Sequence, residues 1–426
     1  MNIKILGDKN FSLLMFGKIT SLIGSTMQSF ALSLFVLATT GSATKFASIL
    51  AIAMIPQLVL GPFAGVFVDW FYRKKILIIL DIMSGIAVSV FIFIYFISGK
   101  ISIGYIYALV IILSLISTLF QPALQTIIPS IIKKEDLVEA NSMNSLIMGI
   151  GNLIAPAIAG VLYGSLGLEI ICILNASTFF ISAFSECFLI IPRNSYDKKE
   201  LNLKVFLSDF SNGIKFSFGN KKVTSIVTLA MILNFGLGSL TIGSTFICKK
   251  ILMVSDFQYG ITDSVMVAAM MISSVISGYL GKKYSVGKNL YISLLFTGVG
   301  ASCAGIVAFK PLLEFFNTSF IPYLILLAFA AVIGLFLGIA NIFVGIYFQT
   351  VVPLEYMGRV STVQGTISMA AMPLSSIIFG ILFDKVNTTL IFAISGIIVI
   401  IPVLLYKKIL LSVNIEGENN EVVLEN

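Results

Sequence analysis

Residues 101–132 read ISIGYIYALVIILSLISTLFQPALQTIIPSII, without one charged side chain. About 20 such residues in a helix cross the hydrocarbon core of a bilayer. The rest of the chain offers no soluble body in which to bury this segment. Of 426 residues, 58% are hydrophobic and 11% charged, whereas a soluble domain carries about 25% charged residues. A chain this poor in charge would expose large apolar patches to water, so lipid must cover most of its surface. Gly, Ala and Ser are interspersed through the apolar runs, as in membrane helices that pack closely. The roughly ten-residue alternation of a membrane β-barrel is missing. The expected fold class is an all-α membrane protein.

Runs of the same kind place spans at 11–37, 46–68, 76–98, 103–122, 143–163, 168–191, 223–247, 259–280, 290–309, 321–347, 360–383 and 387–406. Twelve spans put both termini on one side. With the termini inside, inner segments hold 20 of the 27 basic residues and outer loops hold six; Lys18, inside the first span, is the remaining one. That bias predicts a multi-pass protein of the cell membrane with both termini in the cytoplasm. Residues 1–10 are largely polar and no A-x-A site follows the first apolar run, so the first span is expected to direct insertion without a cleaved signal.

Several function classes fall away. The net charge of +7 is spread over short loops and implies no nucleic-acid partner. The sequence has no His, which excludes His-based catalysis and His-ligated metals. Cys172, Cys187, Cys248 and Cys303 show neither metal spacing nor a disulfide framework. A phosphate-binding G-x-x-x-x-G-K-[ST] loop is absent, as is a soluble domain large enough for a nucleotide. Neither an enzyme nor a cofactor is expected.

The longest polar segment, 193–222, divides the chain into an N-terminal bundle (1–192) and a C-terminal bundle (223–408), followed by a polar tail (409–426). Within the divider Leu203, Phe206, Leu207, Phe210 and Ile214 recur at helical spacing, which predicts an amphipathic helix on the inner membrane face. The two bundles repeat. Gln125-Thr126-Ile127-Ile128-Pro129 after span four matches Gln349-Thr350-Val351-Val352-Pro353 after span ten. The loop from Gly65 to Lys75 has a counterpart from Gly278 to Lys288, and Pro156 corresponds to Pro373. Such repetition marks transporters that rock two bundles about a central site.

Four features carry a family resemblance. Gly65-Val66-Phe67-Val68-Asp69-Trp70-Phe71-Tyr72-Arg73-Lys74 resembles the loop G-x-x-x-D-R-x-G-R-K, with Trp70 for Arg and Tyr72 for Gly. Gly151-Asn152-Leu153-Ile154-Ala155-Pro156-Ala157-Ile158-Ala159-Gly160 resembles the exporter motif G-x-x-x-G-P-x-x-G-G, with two alanines for glycines. Pro122 through Pro129 to Ala140-Asn141 is the third, and Asn341 with Gln349, Pro353 and Gly358-Arg359-Val360 is the fourth. Gly41-Ser42-Ala43 and Gly61-Pro62 add to them. Together they resemble the major facilitator superfamily, in its macrolide-efflux branch.

The resemblance implies two pseudo-symmetric six-helix bundles that export small apolar or amphipathic compounds, of drug or macrolide type, by alternating access and proton antiport, as a monomer. Siderophore or lipid export within the same fold is an alternative, and a non-transporting scaffold a more distant one. In this family the loop after span two meets the start of span eleven, so Gly65, Asp69, Arg73 and Lys74 form a gate with Arg359. By pseudo-symmetry Lys282 faces Glu135. Gly151, Pro156 and Gly160 carry the exporter motif. Macrolide-type exporters often have an acid in span one, where Ser25 stands here.

Charges within spans are functional candidates because burying them is costly. Glu186 and Asp81 are the proton-coupling candidates, with Asp81 also placed to partner the cations after span two. Lys18 is expected to snorkel to the inner interface. Asp263, near the outer start of span eight, is a further in-span charge or else the cap of that helix. The uncharged polar residues Gln28, Asn175, Asn234 and Asn341 are expected to line the cavity, with Gln57, Asn152 and Gln364 as further members. The topology is testable: cysteine introduced at Lys204 should react with an impermeant reagent only after permeabilisation, and cysteine near Glu314 on intact cells. The reverse pattern would overturn the orientation.

Overall fold

The computed structural model describes residues 7–69, 72–99, 101–133, 136–190 and 203–413, and every regular element among them is helical. Among the described residues, eleven continuous helices are long and apolar enough to cross a membrane. One of these, 143–187, contains Gly167 at φ 79° and ψ −178°, a conformation that ends one helix and starts another. Splitting it there makes twelve spans. They are α1 (Lys9–Thr40), α2 (Ala43–Asp69), α3 (Arg73–Ser98), α4 (Ile103–Ile131), α5 (137–166) and α6 (168–187). Then follow α7 (Lys221–Phe246), α8 (Asp256–Lys283), α9 (Val286–Ala304), α10 (Phe320–Val351), α11 (Leu354–Lys385) and α12 (Thr388–Leu405). Large apolar side chains stand outward along them: Phe93, Phe184 and Val275 expose 65%, 67% and 77% of their surface. That outer coat is what lipid requires.

Hydropathy locates the apolar middle of each span, but several helices run further. The Gln125-Thr126-Ile127-Ile128-Pro129 repeat lies in the last turns of α4 rather than after it, and Gln349-Thr350 lies within α10. Gly278 to Lys283 likewise belongs to α8. A helix satisfies its backbone internally, so it continues past the apolar stretch until a capping conformation stops it. α8 begins at Asp256, which corrects the reading of Asp263 as its cap: Asp263 sits two turns inside.

Packing divides the chain into two units. The first comprises α1–α6 together with 244–267 and 376–385; the second comprises 203–243, 268–375 and the chain from Val386 on. The first unit therefore includes the C-terminal turns of α7 and α11 and the first turns of α8. Its core forms two apolar clusters. One gathers Phe11, Leu14, Met15, Leu77, Leu124 and Ile127, near the N-terminal end of α1; the other gathers Ala31, Leu32, Val36, Val88, Ile106 and Ile171.

Within each unit, glycines set the helix crossings. A methyl group at Gly17 of α1 would stand 2.7 Å from Ser185 Oγ and 2.9 Å from Ser182 Oγ of α6; at Gly24 it would meet Asn175 Oδ1 at 2.5 Å and the Thr178 hydroxyl. Gly85 of α3 takes the ring of Phe180 from the other side of α6. The second unit repeats the device: Gly236 of α7 packs on Ser395 and Val399 of α12, and Gly298 of α9 meets Gly396 of α12. Lipid tails are as apolar as the helices, so close backbone approach and hydrogen bonds, not water exclusion, hold these pairs together.

The linker helix, Leu203–Gly219, belongs to the second unit. It docks through its C-terminal half onto α11: Gly213 abuts the Arg359 carbonyl, and the Phe216 ring stacks on Tyr356 at 4.2 Å with the planes 10° apart. Ile214, expected on its apolar face, is exposed, and the side chains of 203–210 lie outside the described residues. Packing in the second unit runs past the expected bundle end, since Leu410 and Val413 are buried against Val286.

Gly24→Val would force a branched side chain into Thr178 and Asn175. It is expected to cost about 1–3 kcal/mol, read as a lower thermal midpoint of the purified protein. Gly61→Ala meets nothing within 4 Å and should leave the midpoint unchanged.

Candidate functional site

Between the two apolar clusters of the first unit lies a cavity of about 410 Å³. Apolar side chains such as Leu32, Met54, Leu113 and Phe179 make up much of its wall. The polar remainder is concentrated on a few helix faces. Lys18, Ser21, Ser25 and Gln28 follow one another along one face of α1, Asp81 and Ser84 project from α3, and Gln57 and Ser114 from α2 and α4. A spacing of three to four residues puts each of these sets on one side of its helix.

The Gly17–Gly24 face of α1 explains how the polar groups are held. One turn beyond Gly24, Gln28 Oε1 accepts a hydrogen bond of 2.6 Å from Asn175 Nδ2, and both side chains are buried. Thr178 Oγ1 donates to the Asn175 carbonyl at 2.8 Å. Gln28 Nε2 keeps no partner among the described residues. It is a fixed donor on a cavity-lining side chain. Gln28 and Asn175, both expected at the cavity, are thus one unit: Gln28 lines it and Asn175 orients Gln28.

Lys18 does not snorkel. It is 6% exposed, lines the cavity, and its Nζ donates to Asn144 Oδ1 of α5. Its position explains the difference: Gly17 presses this turn of α1 onto α6, so the side chain is directed into the bundle rather than along the lipid.

Asp81 and Glu186, expected separately, are brought together. α3 and α6 run antiparallel, and the Gly85–Phe180 contact sets their register, so Asp81, one turn before Gly85, falls level with the end of α6 that carries Glu186. The two carboxyl groups lie close enough to interact electrostatically, with Ser182 beside Asp81. They are 2% and 1% exposed. Asp81 Oδ2 and Glu186 Oε2 have no hydrogen-bond partner among the described residues. Asp81 lines the cavity; Glu186 is not among its lining residues. Asp81 forms no ion pair with Lys74 or Lys75, the loop cations whose side chains are described; its expected partner Arg73 lies outside the described side chains. Lys74 Nζ instead donates to the Cys187 carbonyl at 2.7 Å, at the C-terminus of α6, where a cation is favoured.

The exporter-motif residues form a different contact. A methyl at Gly151 would stand 2.6 Å from Leu22 of α1. At Gly160 it would strike the carbonyl of Asp256, and at Gly260 of α8 the carbonyl of Pro156. α5 and the first turns of α8 therefore cross glycine against backbone. The Leu153 carbonyl, three residues before Pro156, accepts from Ser264 Oγ at 2.7 Å. Lys249 pairs with Asp256 at the start of α8.

The remaining expected residues are dispersed. The side chains of Gly65, Asp69 and Arg73, and all of Glu135, lie outside the described residues. Arg359 places its guanidinium 5.9 Å from the Tyr356 ring centre, and Lys282 is exposed at the end of α8. Asn234 Nδ2 donates to the Ala230 carbonyl one turn back in α7. Asn341 is exposed on α10. Ser84 and Ser114 escape a search for charges and amides, because serine is common in membrane helices and carries no signal by itself. Groups of His, Cys, Asp or Glu arranged to hold a metal are absent among the described residues.

Known proteins are similar to this chain over most of its length. Residues 4–422 match the transmembrane secretion effector family. Macrolide efflux protein A of Streptococcus pyogenes is 23% identical over 384 residues, covering 90% of this chain and 92% of its own. The MFS-type transporter YkuC of Bacillus subtilis (strain 168) is 24% identical over 391 residues, 89% and 87% of the two chains. The crystal structure of a bacterial homologue of the iron transporter ferroportin, in an inward-facing state, superposes with a TM-score of 0.71 at 17% identity, covering 94% of this chain and 98% of that one. At that identity the likeness establishes the fold. A match over nearly the whole length, on an all-helical membrane fold, shows that the chain belongs to the transmembrane secretion effector family of the major facilitator transporters.

Proposed function

We propose that this protein exports small apolar or amphipathic compounds from the cytoplasm by alternating access, driven by protons that move inward. The single observation that carries the coupling is the buried pair Asp81–Glu186, with an unpartnered oxygen on each, set at the wall of a largely apolar cavity. Unpaired ionisable groups at membrane depth are costly and are kept where they serve transport. A carboxyl pair in a dry site can take up and release a proton, and Asp81 faces the space a substrate would fill. Proton and substrate thus meet at one side chain. Lys18 lines the same cavity and supplies a cation that can turn from Asn144 toward the carboxyl groups when the proton leaves. The apolar wall and the free donor of Gln28 suit an amphipathic compound with a carbonyl or hydroxyl group. The macrolide-efflux name of one relative supports the same substrate class.

In this reading the working parts are the bundles 1–192 and 223–408, with the linker 193–222 and both termini in the cytoplasm, and the Gly41 end of α1 facing outward. The protein acts as a monomer in the cell membrane. Glu186→Gln should abolish export of a macrolide or amphipathic dye driven by an imposed pH gradient, while expression and substrate binding persist. Asp81→Asn should lose coupling and also alter binding, because Asp81 lines the cavity. Normal gradient-driven efflux by both variants would remove the pair from the mechanism.

A further inference from the structure

At the Gly41 end of the first unit, α1 and α2 are separated by Gly41 and Ser42 alone. Gly41 takes φ 62° and its N–H bonds to the Leu37 carbonyl, which ends α1; α2 starts at Ala43. Two helix ends of opposite polarity thus stand side by side, the carbonyl end of α1 and the amide end of α2. Each receives a matching charge from far along the chain. Lys250, in the π-helical turn Ile247–Ile251 that follows α7, donates from Nζ to the Gly41 carbonyl at 2.8 Å, across 209 residues. Asp384, in the last turn of α11, takes the other end. Its Oδ1 accepts from the Ala43 N–H at 2.8 Å, and its Oδ2 accepts from the Thr44 N–H at 2.9 Å, Ser42 Oγ at 2.7 Å and Thr44 Oγ1 at 2.6 Å. A helix N-cap is ordinarily the residue next to the helix; here the acceptor comes from 341 residues away.

The surroundings place the carboxylate. Gly380, one turn before Asp384 on the same face of α11, packs against the first turn of α2, where a methyl group would stand 2.6 Å from Ala47 Cβ. Phe383 packs on Phe246 with ring centres 5.8 Å apart, and Lys250 Nζ lies 4.8 Å from the centre of that same Phe246 ring. The two charges are therefore joined by one aromatic contact.

We propose that Asp384 and Lys250 are positioning residues of the transport cycle, a charge-to-helix-end clamp that holds the last turns of α11 and α7 on the α1–α2 turn and releases when the cavity opens outward. Both ends of the clamp lie near water. On release, water replaces the donors and acceptors, so the contact can be broken and remade each cycle. A buried ion pair would not exchange so readily.

The inference rests on the alternating-access reading, and the test separates the two. Ser29, a cavity-lining residue of α1, is changed to cysteine in a full-length protein whose four native cysteines are replaced by serine. Labelling by an impermeant maleimide is followed on intact cells, without substrate or gradient. Asp384→Ala and Lys250→Ala should each raise the initial labelling rate about fivefold, the effect expected from loss of one helix cap. Asp384→Asn, which keeps an acceptor without the charge, should raise it less. Equal rates in the parent and both alanine variants would overturn the clamp and leave alternating access standing. Absence of labelling from outside in every variant would sink both. If Asp384→Ala is not recovered folded, Lys250→Ala decides on the same scale.

Discussion

In a bilayer no water stands ready to satisfy a backbone carbonyl or to be squeezed out from between two helices. The structure depends on the contact that remains available, the approach of one helix backbone to another at glycine. Gly17 and Gly24 bring α1 onto α6, Gly160 and Gly260 bring α5 onto α8, and Gly298 and Gly396 bring α9 onto α12. At each crossing the space a side chain would take is already occupied by backbone or by a hydroxyl. These seams fix which faces of the helices look inward, and so they fix what the cavity can contain.

The polar chemistry follows from the same seams. Because Gly24 admits α6, Asn175 reaches Gln28 and leaves one amide donor free on a side chain that lines the cavity. Because Gly85 admits Phe180, α3 and α6 share a register in which Asp81 lies near Glu186. Each buried carboxyl group is costly, and a like group beside it adds to the cost of ionising either. The exporter motif has a plainer physical role than its label implies: small residues and Pro156 let α5 touch the first turns of α8 without an intervening side chain.

Charge at helix ends is the second recurring device. Lys74 meets the C-terminus of α6, Lys250 that of α1, and Asp384 the N-terminus of α2. Such contacts satisfy backbone groups that the membrane would leave exposed, and they use charges that lie close enough to water to exchange. Glycine contacts thus lie along the spans, and charge-to-backbone contacts lie at their ends.

The sequence by itself determined the helical class, the twelve spans and the break between α5 and α6, because transfer of each segment into lipid is a local sum over its own residues. It also marked Gly151, Pro156 and Gly160 as packing positions, and it identified Glu186 and Asp81 as costly charges, since an ionisable group in an apolar run is conspicuous wherever it points. Only the tertiary structure decided that Asp81 and Glu186 are neighbours, that Lys18 turns inward, that α8 begins at Asp256, and that Asp384 caps α2 across 341 residues. Those outcomes depend on which face of one helix meets which face of another. That choice is set by packing between distant segments, and no local sum along the chain contains it.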